Sequence, residues 1–194
     1  MPKTEQPTRQ RIVEAASRLF YAEGIGRVSV DAVAAQAGVT KRTLYYHFKS
    51  KDELVTAYLE ERDQPNLVQM ARWFEEAEGE IGARIEAIFI ALADVARHPK
   101  WKGCGFQRTA AELAAMPGHP AVAVGSRHKT SFETWLAGRI TEEGLAEGKE
   151  LARRTVLLME GAFALMLIHR NPDYMEAAGR AARALLKVGR RRPG

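Results

Sequence analysis

A single cysteine, Cys104, stands in a chain of 194 residues, which excludes an internal disulfide framework and fits a reducing compartment. No apolar run reaches the roughly 20 residues of a membrane span, because the greasiest stretch, Val156 to Ile168, is interrupted by Glu160. The residues from Met1 to Gln6 hold no apolar run either, so no signal peptide is expected and the cytoplasm is the expected location. Enzyme signatures are missing too: there is neither a phosphate-binding GxxxxGK[ST] sequence nor a GxSxG nucleophile turn. Gly24-Ile25-Gly26 lacks the preceding strand and the third glycine of a dinucleotide loop. The histidines (His47, His98, His119, His128, His169) are scattered, and Asp94 with His98 at i, i+4 falls short of a metal site. No catalytic residue, metal or cofactor is therefore expected.

What is present begins with charge. The first 51 residues carry nine Lys and Arg against four acids, an excess equal to the +5 of the whole chain, so the remainder is balanced. That asymmetry favours a polyanion at the N-terminal end. The Arg190-Arg191-Arg192 run reads as a solubilising tail, with a second polyanion contact as the alternative. Hydrophobic residues make up 46% of the sequence, enough for a packed core rather than disorder.

Periodicity divides the first 60 or so residues into three short helices leading into a longer one. Thr8 is expected to cap a helix carrying Ile12, Ala15, Ala16, Leu19 and Phe20 at helical spacing, ended by Gly24 and Gly26. Ser29 caps a second helix that buries Val30, Val33, Ala34 and Ala37. Gly38 turns the chain, Thr40 caps the third helix, and Leu44 and Phe48 anchor it from one side. Lys41, Arg42, Tyr45 and Tyr46 lie elsewhere on that third helix. Cations can reach base edges or phosphates, tyrosine hydroxyls can bind phosphate, and tyrosine rings can pack on thymine methyls. Ser50-Lys51-Asp52-Glu53 fits a capping box for the fourth helix, whose apolar side includes Leu54, Tyr58 and Leu59. Helices two and three have the proportions of a helix-turn-helix.

The ordered set Ile12-x-x-Ala15-Ala16-x-x-Leu19-Phe20, Gly24, Ser29-Val30-x-x-Val33-Ala34, Ala37-Gly38-Val39, Thr43-Leu44-Tyr45-Tyr46-His47-Phe48 and Lys51-x-x-Leu54 resembles the DNA-binding domain of the tetracycline-repressor (TetR) family of bacterial transcription regulators. The resemblance covers roughly the first third of the chain. It implies an all-α protein, with an N-terminal helix-turn-helix DNA-binding domain at 1–60 and a helical effector-binding and dimerisation domain at 61–194. It also implies a homodimer on a pseudo-palindromic double-stranded operator, joined through the last two long helices, and a small-molecule effector. In this reading Lys41 and Arg42 contact base edges or phosphates, and Thr43 and Tyr45 meet bases or backbone. Tyr46, His47 and Lys51 touch phosphates, while Ser29 and Thr40 present capped helix N-termini to phosphate. Asp31, an awkward charge beside DNA, is expected to face away or to hold a cationic neighbour.

The second domain reads as all-helical. Trp73 to Leu92 gives one or two helices, and Lys100 to Gly105 a loop. Further helices are expected over Phe106–Met116, Val122–Ile140 and Leu151–Ile168, with a last one opened by Pro172. The Leu151–Ile168 helix is apolar nearly all round, as in a core or interface. The last helix is expected to bury Tyr174, Ala178, Ala181, Ala182 and Leu185. Small residues on these two helices permit close approach across a two-fold interface, ordinary core packing being the alternative. The fourth helix is expected to run from the first domain into the second. Phe89, Trp101, Phe106, Trp135, Met159 and Phe163 are the candidate effector-binding residues, although such side chains are more often plain core. The composite expectation is a repressor released from its operator by an effector. Alternatives of other kinds are an activator, a redox-responsive regulator using Cys104, and a small helical enzyme or carrier.

Overall fold

The computed structural model describes residues 7–189, and of these all regular structure is α-helical. The helices are α1 (Thr8–Glu23), α2 (Val30–Ala37), α3 (Lys41–His47), α4 (Lys51–Glu76), α5 (Ile81–Ala96), α6 (Gly105–Glu112), α7 (Pro120–Glu142), α8 (Gly148–His169) and α9 (Asp173–Gly189). The Arg190-Arg191-Arg192 run lies outside the described residues. No helix among them is long and apolar enough to cross a membrane.

The chain forms two compact units. Among the described residues one comprises 7–64 and 104–126, the other 65–103 and 127–189. Residues 104–126, which the division at 60 assigns to the second domain, thus belong to the first unit. Its core is built from Ile12, Ala16 and Phe20 of α1, Val33 and Ala37 of α2, and Leu44 and Phe48 at α3. Leu54, Tyr58 and Leu59 of α4 join them, as do Phe106, Leu113 and Val124 from the later segment. This explains why α1 to α3, too short to hold themselves in water, are stable here: each buries one stripe in a shared core.

The helix starts are set locally, with two adjustments. Thr8 does not cap α1; Pro7 occupies the cap position, and no side chain bonds there. The capping box at α4 is displaced by one residue: Ser50 Oγ accepts from the Glu53 amide at 3.1 Å, but Glu53 Oε2 accepts from Lys49 N–H at 2.7 Å rather than from Ser50.

In the second unit α9 packs on α5 and α8. Its buried side is Met175, Gly179, Ala182 and Leu186, so of the expected set only Ala182 is buried. Tyr174, Ala178 and Leu185 are half-buried, and Ala181 is exposed. The reason is Gly179: a Cβ there would stand 2.7 Å from the Phe89 Cβ of α5. The absence of a side chain lets α9 seat on that spot, which turns its alanines outward. Arg183 fixes the register, donating to Glu80 at 3.0 Å and to Glu86 at 2.9 Å. On α8 the burial is one-sided: Leu151, Val156, Met159, Phe163 and Met166 are inside, while Leu157, Leu165 and Ile168 are exposed.

Candidate functional site

The α2–turn–α3 segment is held by backbone chemistry that the sequence specifies residue by residue. Ser29 Oγ accepts from the Ala32 amide at 3.1 Å and starts α2. Gly38 ends α2 in the left-handed region (φ 65°), where a side chain costs roughly 1 kcal/mol or more. Around it the Gly38 and Val39 amides donate to the carbonyls of Ala35 and Ala34 at 3.1 and 3.0 Å, the crossed pattern that satisfies a helix C-terminus. Thr40 Oγ1 then accepts from the Thr43 amide at 3.1 Å and starts α3, and the two threonine hydroxyls lie 2.8 Å apart.

A residue with no sequence signal completes the turn. Arg11 of α1 sends Nη2 to the Ala37 carbonyl at 2.7 Å and to that of Gly38 at 3.3 Å. A cation there complements the negative end of α2. Arg9, two residues earlier, lays its guanidinium over the Phe48 ring at 4.9 Å.

The two faces of α3 differ completely. Leu44 and, just past the helix, Phe48 are fully buried, whereas Tyr45 is 44% exposed and Tyr46 85%. Lys41 and Arg42 are exposed, Thr43 and His47 half-buried, and the Tyr46 and His47 rings meet edge to face at 5.2 Å. Lys51, at the start of α4, is half-buried, and the caps Ser29 and Thr40 are exposed. Asp31 holds a cationic neighbour: Lys41 Nζ is 3.0 Å from its Oδ2. That hydrogen bond, with the carboxylate's charge, holds the Lys41 ammonium above its ordinary proton affinity. The exposed side of the segment therefore offers cations, hydroxyls, two tyrosine rings and one carboxylate already engaged.

Within the same unit, α6 and the turn after it brace the helices behind this surface. Glu112 Oε2 accepts from the Gly26 amide at 2.9 Å, and Arg108 donates to the Tyr21 carbonyl at 2.8 Å. His119 is buried; its Nδ1 accepts from the Ala121 amide at 3.1 Å, which leaves the proton of a neutral ring on Nε2. Nε2 faces Asp52 Oδ1 of α4 at 3.5 Å, an electrostatic contact without a hydrogen bond. Tyr58 is buried among these groups, and burial raises its phenol above the ordinary value against the opposing charges of Arg62 and Arg108. Cys104 is half-buried at the start of α6.

The candidate effector residues are dispersed. Phe106 belongs to the core of the first unit. In the second, Phe89, Met159 and Phe163 are buried. Trp135 is half-buried, stacked on Phe132 at 5.8 Å and edge-on to Phe74 at 5.2 Å. Trp101 lines a cleft of about 150 Å³ shared with His98, Met166, Arg170 and Pro172. A wider groove of about 650 Å³ runs along α7 and α8 past Thr134, Gly138, Thr141 and Arg153, and none of the six lines it. Among the described residues no group of three or more His, Cys, Asp or Glu could hold a metal ion.

Comparison with known proteins covers both parts of the chain. The family model described as "Bacterial regulatory proteins, tetR family" matches residues 12–58. The HTH-type transcriptional regulator SrpR of Pseudomonas putida is 35% identical over 97 residues, 50% of this chain and 43% of SrpR. The uncharacterized HTH-type transcriptional regulator TtgW, also of Pseudomonas putida, is 36% identical over 95 residues, 49% of this chain and 67% of TtgW. The alignment thus spans less than half of SrpR and two thirds of TtgW. Among solved structures, SCO4454, a TetR-family transcriptional regulator from Streptomyces coelicolor, superposes with a TM-score of 0.81 at 29% identity, covering 93% of this chain and 95% of that one.

Proposed function

The chain belongs to the tetR family of bacterial regulatory proteins, which are transcriptional regulators and not enzymes, and we propose that two copies of it bind a pseudo-palindromic duplex through α3. The observation that carries this reading is the division of α3, with its apolar anchors wholly buried and Tyr46 left 85% exposed beside Lys41 and Arg42. A solvated helix face has no use for a large aromatic side chain held out this far, whereas a major groove accepts both its ring and its hydroxyl. Arg42, Thr43 and Tyr45 are the base-proximal side chains in this reading. Tyr46, His47, Lys51 and the capped starts of α2 and α3, at Ser29 and Thr40, serve the phosphates.

One short helix reads only a few base pairs, so useful affinity calls for two half-sites about one helical turn apart. A surface suited to a second copy exists on the second unit. Leu157, Gly161, Leu165 and Ile168 of α8 are exposed, as are Ala177, Ala181 and Ala184 of α9. Together they form an apolar face with small residues that admit close helix approach. A small molecule held in the second unit, with the Trp101 cleft as its entrance, would release the DNA by favouring a state in which the half-site spacing no longer fits. The protein acts as a repressor in the bacterial cytoplasm.

Selection from random duplexes by the purified chain, with sedimentation of the free protein and the complex, tests the reading. Enrichment of inverted repeats bound by two copies is expected. Failure to retain any duplex, or binding as a single copy to sites without symmetry, refutes it. Placing the selected site over a promoter and measuring transcription separates repression from activation.

A further inference from the structure

Asp31 is the one carboxylate in the α2–turn–α3 segment, on a surface whose other charged groups are cations. In the first turn of α2 it suits the positive end of that helix. Lys41 has the opposite problem, for it is the first residue of α3, where the helix dipole disfavours a cation. Their contact, Nζ to Oδ2 at 3.0 Å, offsets the unfavourable position of the lysine and spans the turn from α2 to α3. The two side chains are 55% and 64% exposed, and pairs this open add little to folding stability. What the contact changes is the charge that the surface offers to DNA.

Were Lys41 to leave Asp31 for a phosphate, a bare carboxylate would stand against a polyanion. While the pair holds, the ammonium still has two protons free for acceptors, and the carboxylate has a second oxygen. Guanine O6 and N7 or thymine O4 suit the former, and the amino groups of cytosine or adenine the latter. We propose that Asp31 and Lys41 stay paired on the operator and act as one neutral reading unit, which selects base sequence while other cations neutralise the phosphates. The proposal deepens the DNA-binding reading and rests on it.

The two roles of a lysine separate in the salt dependence of binding. A cation that neutralises a phosphate contributes about 0.9 to the slope of log K against log salt, whereas a neutral pair contributes nothing. The test compares the full-length chain with D31N and with the double variant D31N/K41M, measuring salt slope and selected sequence for each. D31N releases the lysine charge, so its slope is expected to steepen by about 0.9 per copy and its binding to random duplex to rise. D31N/K41M is expected to keep the wild-type slope. It should lose preference at one or two adjacent base pairs in each half-site, weakening the best site about tenfold.

A double variant whose slope falls by about 0.9 per copy with preferences intact makes Lys41 a phosphate contact and overturns the proposal. So does a double variant unchanged in both respects. If either variant melts below the wild type, the charge-swapped D31K/K41D, which keeps a pair across the turn, replaces it. That variant is expected to change base preference at an unchanged slope, and unchanged preference overturns the proposal. A wild-type chain that binds no duplex refutes the DNA reading itself, an outcome distinct from all of these.

Discussion

Arg11 donates to the carbonyls of Ala37 and Gly38 from a half-buried position on α1, and so fixes the turn from which α3 projects. Charge-assisted hydrogen bonds of this kind contribute roughly 1.5–3 kcal/mol; partial exposure places Arg11→Ala near the low end, at about 1–2 kcal/mol. Urea unfolding measures that loss, and DNA affinity should fall with it because α3 is less well placed. Arg42 makes a different prediction, since nothing in the fold depends on it. If Arg42 reads a base, Arg42→Ala should cost about 1–3 kcal/mol of binding and relax preference at one position of the half-site. Lys51→Ala should instead weaken all duplexes alike and lower the salt slope by about one unit. Selection and salt titration on the same preparations check both. The caps at Ser29 and Thr40 and the turn at Gly38 were legible in the sequence because each bonds within a few residues of itself. Arg11 was not, since its acceptors lie 26 and 27 residues away and any polar residue on α1 reads alike.

At the scale of elements, the helix boundaries were largely legible and the helix faces less so. A run of apolar residues at helical spacing marks a helix, but two overlapping stripes can compete to be its inner side. On α9 the alanine-rich stripe looked like the inner one, yet Gly179 decided the matter by allowing contact with Phe89. Gly179→Ala tests that explanation. Helix propensity alone would favour alanine by roughly 1 kcal/mol, but the added Cβ would sit 2.7 Å from Phe89 Cβ. Overpacking of this sort costs about 1–3 kcal/mol, so a lower melting temperature is expected. The end of α8 predicts the reverse. Arg170 occupies the left-handed region (φ 54°), a conformation that glycine adopts freely, and Arg170→Gly should stabilise the chain by about 0.5–1 kcal/mol in thermal melts.

At the scale of the whole molecule, the outward side of α8 leaves Leu157, Leu165 and Ile168 exposed in the single chain. Leu157 is 66% exposed and Ile168 71%, so exchanging both for glutamate removes no core contact and should leave the single-chain fold intact. On the proposed two-fold pairing, that double exchange should convert the protein to monomers in sedimentation and abolish binding to inverted repeats. An unchanged sedimentation coefficient would move the interface elsewhere. Gly161 gives an independent reading, for a Cβ there meets nothing within 4 Å inside the chain. Gly161→Leu should therefore be harmless to folding, and should weaken association only if another helix approaches at that point.

By itself the sequence determined what depends on neighbours along the chain: the helical class, the glycine turn, the capped starts of α2 and α3, and the cationic, tyrosine-bearing character of α3. These are set by backbone hydrogen bonds and side-chain spacing within a turn or two, and the order of the residues states them. Only the tertiary structure decided which far-apart groups meet. It brought residues 104–126 into the first unit, made Phe106 core, set Arg11 against the turn, rolled α9 onto its glycine and tied Lys41 to Asp31. Each of these turns on shape and charge matched between different helices, which spacing along one helix does not encode.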